Sequence, residues 1–117
     1  MAAPDPLPIS ATDDATARAA WIESTIHEVQ TRFLDGVVFD FEGPLLPSDI
    51  MNNNYVSLIN ETRVAMHAAV PGSQISVCLA WNPHGVDGRY YDNLNLIKAA
   101  DLAYIMSYDT RSQILDQ

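Results

Sequence analysis

Three short apolar runs, each closing on polar residues and each preceded by an amphipathic stretch, set the main constraint on this fold. The runs are Val37-Val-Phe-Asp-Phe41, Ile75-Ser-Val-Cys-Leu-Ala-Trp81 and Leu102-Ala-Tyr-Ile-Met-Ser-Tyr108. They are rich in β-branched and aromatic residues and too short for typical globular helices, so they read as buried strands. Before the first, Ala15, Ala19, Ile22, Ile26, Val29 and Phe33 recur at spacings of three and four behind Thr12-Asp13-Asp14, which supplies capping side chains. That helix is expected to stop near Leu34, where Asp35-Gly36 breaks the pattern. A second helix opens at Ser48-Asp49, carries Tyr55, Leu58, Ile59, Thr62, Met66 and Ala69 on one side, and ends at Pro71-Gly72. After Asn82-Pro83 and a loop with Gly85 and Gly88, a short helix spans about Tyr91 to Ala100. Alternation of helix and apolar strand predicts an α/β chain with a parallel sheet and helices packed outside it.

Two parallel architectures compete. A doubly wound nucleotide-binding sheet wants a glycine-rich turn after its first strand. Here that turn is Glu42-Gly-Pro-Leu-Leu-Pro47, too rich in proline to lay backbone amides on a phosphate. A (β/α)8 barrel gathers its chemistry at the C-terminal ends of its strands. Asp40 and Glu42, Asn82, and Tyr108 with Asp109 fall at those ends, which favours the barrel.

Composition narrows the function. Fifteen acidic residues against six basic ones give a formal net charge of −9, with no basic cluster to neutralise phosphates. Nucleic acid and anionic membrane are therefore not expected partners. The apolar runs are too short to span a bilayer. The first ten residues hold Pro4, Pro6 and Pro8 and lack the basic start and apolar core of a signal peptide. Residues 1–11 are expected to be disordered, and 12–117 to form the folded part. A single cysteine, Cys78, rules out an internal disulfide and reads as a buried structural thiol rather than a nucleophile. His27, His67 and His84 are widely separated and are expected on the surface or in loops. No cluster has metal-ligand spacing, and neither metal nor organic cofactor is expected. Asn60-Glu-Thr62 is a glycosylation sequon.

Alternate strand residues face opposite sides. Val37, Phe39 and Phe41 suit the helix side, and Val38, Asp40 and Glu42 share the other face. Two buried carboxylates side by side cost several kcal/mol unless each is hydrogen-bonded or one stays protonated. Like charge and partial burial would keep a proton on Glu42, ready to be given to a glycosidic oxygen. The competing reading is an exposed strand end with both groups solvated.

Asp35-Gly-Val-Val-Phe-Asp-Phe-Glu42 resembles the Asp-Gly-x-Asp-x-Asp-x-Glu signature that glycoside hydrolase family 18 carries on its fourth barrel strand. Met106-Ser-Tyr-Asp109 is similar to the Met-x-Tyr-Asp of that family's sixth strand. Gly72-Ser-Gln74, Ala80-Trp-Asn-Pro83 and Ser107-Tyr-Asp-Thr-Arg-Ser-Gln-Ile114 look like its chitobiase branch. The resemblance runs from about Trp21 to Ile114. It implies a segment of a (β/α)8 TIM barrel, about three βα units holding strands four to six.

The resemblance also assigns roles. Glu42 matches the general acid/base, Asp40 the carboxylate that orients the substrate's acetamido group, and Tyr108 the tyrosine that hydrogen-bonds the acetamido carbonyl. Met106 and Asp109 match positions lining the sugar subsite, and Asp35 a more structural position of the signature. Trp81 is placed either to stack on a sugar face or to pack against helices, while Tyr90 and Tyr91 are expected to pack. Val38 departs from the pattern, since the family has Asp there and the chitobiase branch tends to Asn, so Asp40 loses a partner. The activity implied is hydrolysis of β-1,4-linked N-acetylglucosamine units, assisted by the substrate's own N-acetyl oxygen. A lectin-like relative that binds chitin or glycan without cleaving it is the alternative, and a structural fragment with no ligand a third. The resemblance implies a lysosomal or secreted parent protein and an N-glycan at Asn60. Because a barrel of this kind takes roughly 250 residues, the 117 residues alone are expected to be weakly stable and nearly inactive.

Overall fold

A computed structural model describes residues 14–107, except 83 and 87. Six elements alternate: α1 (Ala15–Thr31), β1 (Gly36–Phe39), α2 (Met51–Ala69), β2 (Gln74–Ala80), α3 (Asn93–Ala99) and β3 (Leu102–Met106). The strands pair in the order β1-β2-β3, all parallel, with Val38 opposite Ser76, Ser76 opposite Leu102, and Ala80 opposite Met106. Sequential parallel strands joined through helices are the repeating unit of a (β/α)8 barrel, and this is a segment of one. Each strand falls within a residue or two of its sequence-predicted start. Each ends earlier than expected, so the polar residues that follow β1 and β2 lie on loops rather than in the ladder. The proline-rich start, Thr12 and Asp13 lie outside the described residues.

Burial follows the alternation. Val37 and Phe39 of β1 and Ile75, Val77 and Leu79 of β2 are buried beneath the helices, against Tyr55, Leu58, Ile59 and Met66 of α2 and Leu96 of α3. An aromatic series knits these layers. The Trp21 ring centroid lies 5.6 Å from that of Phe39, Phe41 stacks on Tyr55 at 4.6 Å, and Tyr55 meets Tyr91 edge-on at 5.7 Å. Such contacts stabilise beyond their buried area. Arg18 Nε donates to Glu61 at 2.9 Å and ties α1 to α2.

Helix α1 begins as expected, with the Asp14 carboxylate accepting from the Thr16 amide at 2.8 Å. Its end differs from expectation. The last helical residue is Thr31, and the Leu34 amide reaches back to the Val29 carbonyl at 3.0 Å while Phe33 takes φ 55°. That is a Schellman ending, which closes the helix by putting one residue in left-handed backbone. Phe33, expected on the apolar face, is rotated away from it and is 93% exposed. Ala15, Ala19 and Ala69 are likewise exposed, and Thr25 and Asn52 take buried places that no apolar pattern marked.

At the N-terminal side of the sheet, one Asp101 oxygen accepts from the Ile75 amide at 2.8 Å and from His67 Nε2 at 2.7 Å. This carboxylate joins the end of α2, the start of β2 and the start of β3. His67 is thus a surface histidine with a structural partner.

Candidate active site

The helix-averted face of the sheet carries the candidate chemistry. Val38, Asp40 and Glu42 come from β1 and its exit, Ser76, Cys78 and Ala80 from β2, and Tyr104 and Met106 from β3. Parallel register keeps neighbours in one row on one face. The charges of Asp40 and Glu42 both bear on Cys78, which fits that placement. Both carboxylates leave β1 just past its last residue, Phe39, on the loop that follows.

Their environment in this segment is open. Asp40 and Glu42 are exposed, and about half of the Glu42 side chain faces solvent. The face is not uniformly open, since Ser76 and Met106 on it are buried while Asp40, Glu42 and Tyr104 are exposed. Leu102 and Tyr104 of β3 are about half exposed. Met106 is buried and, with Phe41, Tyr55, Cys78, Arg89 and Tyr91, lines a cavity of about 10 Å³ behind the carboxylates. That holds one water at most. Cys78 is half-buried rather than buried, and it lies on the site face. Burial, then the charges of Asp40 and Glu42, push its ionisation above the ordinary thiol range, which lowers its thiolate share.

Two loops build the rim. The Leu45 amide donates to the Gly88 carbonyl at 3.0 Å, and the Tyr90 amide to the Leu45 carbonyl at 2.8 Å, so the β1–α2 and β2–α3 loops pair as a short parallel bridge. Asn52 fastens both loops to α2. Its amide nitrogen donates to the carbonyls of Leu46 and Tyr90 at 3.2 and 3.0 Å, and its oxygen accepts from the Asp92 amide at 2.8 Å. Tyr91 donates its hydroxyl to the Gly43 carbonyl at 2.7 Å, next in chain to Glu42. Burial first, and the charges of Glu42 and Asp40 after it, push Tyr91 up to about 12 against the opposing Arg89, so the phenol remains a donor. Arg89 Nη1 lies 3.4 Å from Glu42 Oε1. None of Asn52, Tyr91 and Arg89 carried a motif in the sequence, although the paired tyrosines were expected to pack. Tyr91 packs, whereas Tyr90 is 39% exposed.

Outside this rim an open cleft of about 700 Å³ is lined by Ser48, Asn53, His84, Tyr90 and Asp92, and the carboxylates are not part of its wall. Trp81 is half-buried with its indole N–H enclosed and unpartnered among the described residues. Asp35 is exposed, and its carbonyl accepts from the Gln74 amide at 2.9 Å, a backbone role in keeping with a structural position. Tyr108 and Asp109 lie outside the described residues. Among the described residues no group of His, Cys, Asp or Glu could hold a metal ion, and no helix is long and apolar enough to cross a membrane.

The sequence matches the family model of the glycosyl hydrolases family 18 over residues 8–116. The chain belongs to glycoside hydrolase family 18. It is 36% identical over 110 residues to a probable di-N-acetylchitobiase 2 of Dictyostelium discoideum, covering 94% of this chain and 28% of that protein. It is 32% identical over 101 residues to the di-N-acetylchitobiase of Homo sapiens, covering 86% of this chain and 26% of that protein. The chain thus spans little more than a quarter of the length of these curated relatives. The fold has a counterpart among solved structures: a class V chitinase from Nicotiana tobaccum superposes with a TM-score of 0.74 at 23% identity, over 86% of this chain and 30% of that one.

Proposed function

We propose that this chain is the acid-bearing part of a family 18 hydrolase that cleaves β-1,4-linked N-acetylglucosamine units, in chitobiose cores or chitin fragments. What supports the reading is that Asp40 and Glu42 follow directly on β1 at its C-terminal end, both near enough to act on the Cys78 thiol, within a chain of this family. Glu42 gives its proton to the glycosidic oxygen and later takes one from water. Asp40 orients the substrate's acetamido group, and Tyr108 hydrogen-bonds its carbonyl oxygen. That oxygen acts as the nucleophile, so one protein acid suffices, an exception to the two-carboxylate scheme. Met106, Asp109 and Trp81 line the sugar subsite, and Asp35 and Val38 support the strand that bears the acid. No metal or cofactor takes part. A variant of the Nicotiana tobaccum chitinase was crystallised in complex with NAG4, which supports an oligosaccharide of N-acetylglucosamine as the ligand class.

The assay is turnover of a fluorogenic N,N′-diacetylchitobiose substrate by the longest polypeptide the gene encodes around these residues. Loss of turnover in Glu42→Gln is the expected result. Turnover that survives that substitution refutes the assignment. The 117 residues made alone are expected to give little turnover, because Asp40 and Glu42 are left open to solvent.

Val38 favours a second reading, a lectin-like relative that binds glycan without cleaving it, because the partner usually offered to the carboxylate at Asp40 is absent. A folded, inactive protein that binds N,N′-diacetylchitobiose would decide for it. We infer a lysosomal or secreted location, for which the Asn60-Glu-Thr62 sequon is the support. Asn60 is exposed on α2, as an N-glycan there requires. A mobility shift on glycosidase treatment, lost in Asn60→Gln, tests this.

A further inference from the structure

We propose that Arg89 is the positioning residue for Glu42 and neutralises the charge left on it when its proton departs; this rests on Glu42 being the acid. Arg89 is well placed for that work. Its side chain is only 14% exposed, and Nη1 points to Glu42 Oε1 at 3.4 Å. The guanidinium does not hang on a free loop. Arg89 and Val86 exchange backbone hydrogen bonds at 2.9 and 3.4 Å, and Arg89 Nε donates to the same Val86 carbonyl at 3.3 Å. On either side of Arg89, Gly88 and Tyr90 bond to Leu45 of the β1–α2 loop, which also carries Glu42. The cation and the acid are thus set on two loops that are fastened to each other. A third fastening is the Tyr91 hydroxyl on the Gly43 carbonyl, beside the acid's own backbone.

The chemistry gives this arrangement a purpose. Glu42 passes its proton to the glycosidic oxygen while the bond from C1 to that oxygen breaks, its electron pair leaving with the oxygen. The substrate's N-acetyl oxygen closes on C1, and a full negative charge remains on the Glu42 carboxylate. Among the described residues, Glu42 shares its surroundings with Asp40, Cys78 and Tyr91, and its ion-pair partner is the Arg89 guanidinium. A fixed cation that meets charge only as it develops lowers the barrier more than it tightens substrate binding.

The test uses the longest polypeptide the gene encodes around these residues, with Arg89→Met, Arg89→Lys and Glu42→Gln made side by side. N,N′-diacetylchitobiose turnover is expressed per folded molecule, with melting temperature recorded for each variant. Arg89→Met is expected to lower kcat by about 10- to 100-fold with KM changed less than about threefold. Arg89→Lys, which keeps the charge but loses the fork, is expected to recover about tenfold of that loss. A purely structural role would lower stability in both variants and leave Lys no better than Met. Equal losses in Met and Lys, a loss confined to KM, or kcat of the Met variant within about threefold of wild type would each overturn the proposal. Should Glu42→Gln abolish turnover while Arg89→Met does not, only the role of Arg89 fails. Should Glu42→Gln retain turnover, or the wild type show none, the acid assignment fails and takes this inference with it.

Discussion

Gly36 lies so close against the backbone of Gln74 that a methyl group on it would overlap the Gln74 carbonyl oxygen and crowd its carbonyl carbon and amide nitrogen. The two residues face each other at the first rung of the β1–β2 pairing. The obstacle is backbone, not a flexible side-chain end, so it cannot swing aside. Gly36→Ala is therefore expected to push the strands apart at the start of the ladder and lower stability by about 1–3 kcal/mol, the usual range for overpacking. A shift of the urea midpoint measures it. An unshifted midpoint would mean that the two strands do not approach as described.

How much of this was legible in the sequence depended on whether a residue's place is set by local period or by distant partners. The strand faces were legible, since alternation alone put Val38, Asp40 and Glu42 opposite Val37, Phe39 and Phe41. So were the ends of α2, which Asp49 and Pro71-Gly72 mark chemically. Phe33 misled because its spacing continues the apolar stripe, while the helix had already closed through Leu34 and Val29. The rim was silent. Leu45 meets Gly88 and Tyr90 across more than forty residues of chain through irregular backbone, and no periodicity encodes that. Arg89 and Asn52 owe their roles to that meeting.

Asn52 holds the two rim loops to α2 with three hydrogen bonds while only 7% exposed. Removing its amide leaves the Asp92 N–H and two carbonyls without their partner, with water from the adjoining open cleft replacing part of what is lost. Asn52→Ala is expected to lose about 2–4 kcal/mol, from penalties of about 1–3 kcal/mol for each enclosed group left unpaired. Asn52→Asp is expected to lose at least as much, since it still accepts from Asp92 but sets a carboxylate oxygen against the two carbonyls to which the amide had donated. Hydrogen exchange at the Asp92 and Tyr90 amides reports the loosening directly. Unchanged protection at both would show that the loops hold together without Asn52.

Cys78 gives a prediction with a definite sign. Burial, followed by the charges of Asp40 and Glu42, raises its ionisation. A thiol shifted upward holds less thiolate at any given pH, and only the thiolate alkylates. Iodoacetamide is therefore expected to react with Cys78 more slowly at pH 8 than with a free cysteine, and the rate to keep rising beyond the ordinary thiol range. Asp40→Asn removes the larger of the two charge contributions and is expected to speed the reaction, though less than unfolding does. A wild-type rate equal to that of free cysteine would contradict the placement of these three side chains.

Val38 is where the family's signature breaks, and its surroundings suggest what the missing polar group would do. It sits on the carboxylate face one alternation before Asp40 and opposite Ser76, which is buried with a hydroxyl unpartnered among the described residues. An amide at position 38 would lie between that hydroxyl and the Asp40 carboxylate and could donate to the carboxylate while accepting from Ser76. Asp40 would then hold one orientation toward the substrate's acetamido group, with less freedom to lose in reaching it. Val38→Asn is accordingly expected to raise kcat by about tenfold, worth about 1.4 kcal/mol in the barrier. Val38→Ala, which opens space without supplying a donor, is expected to give no gain. Turnover by the complete polypeptide decides between them. A gain in both variants would point to steric relief, and a gain in neither would mean that Asp40 is already oriented without help from position 38.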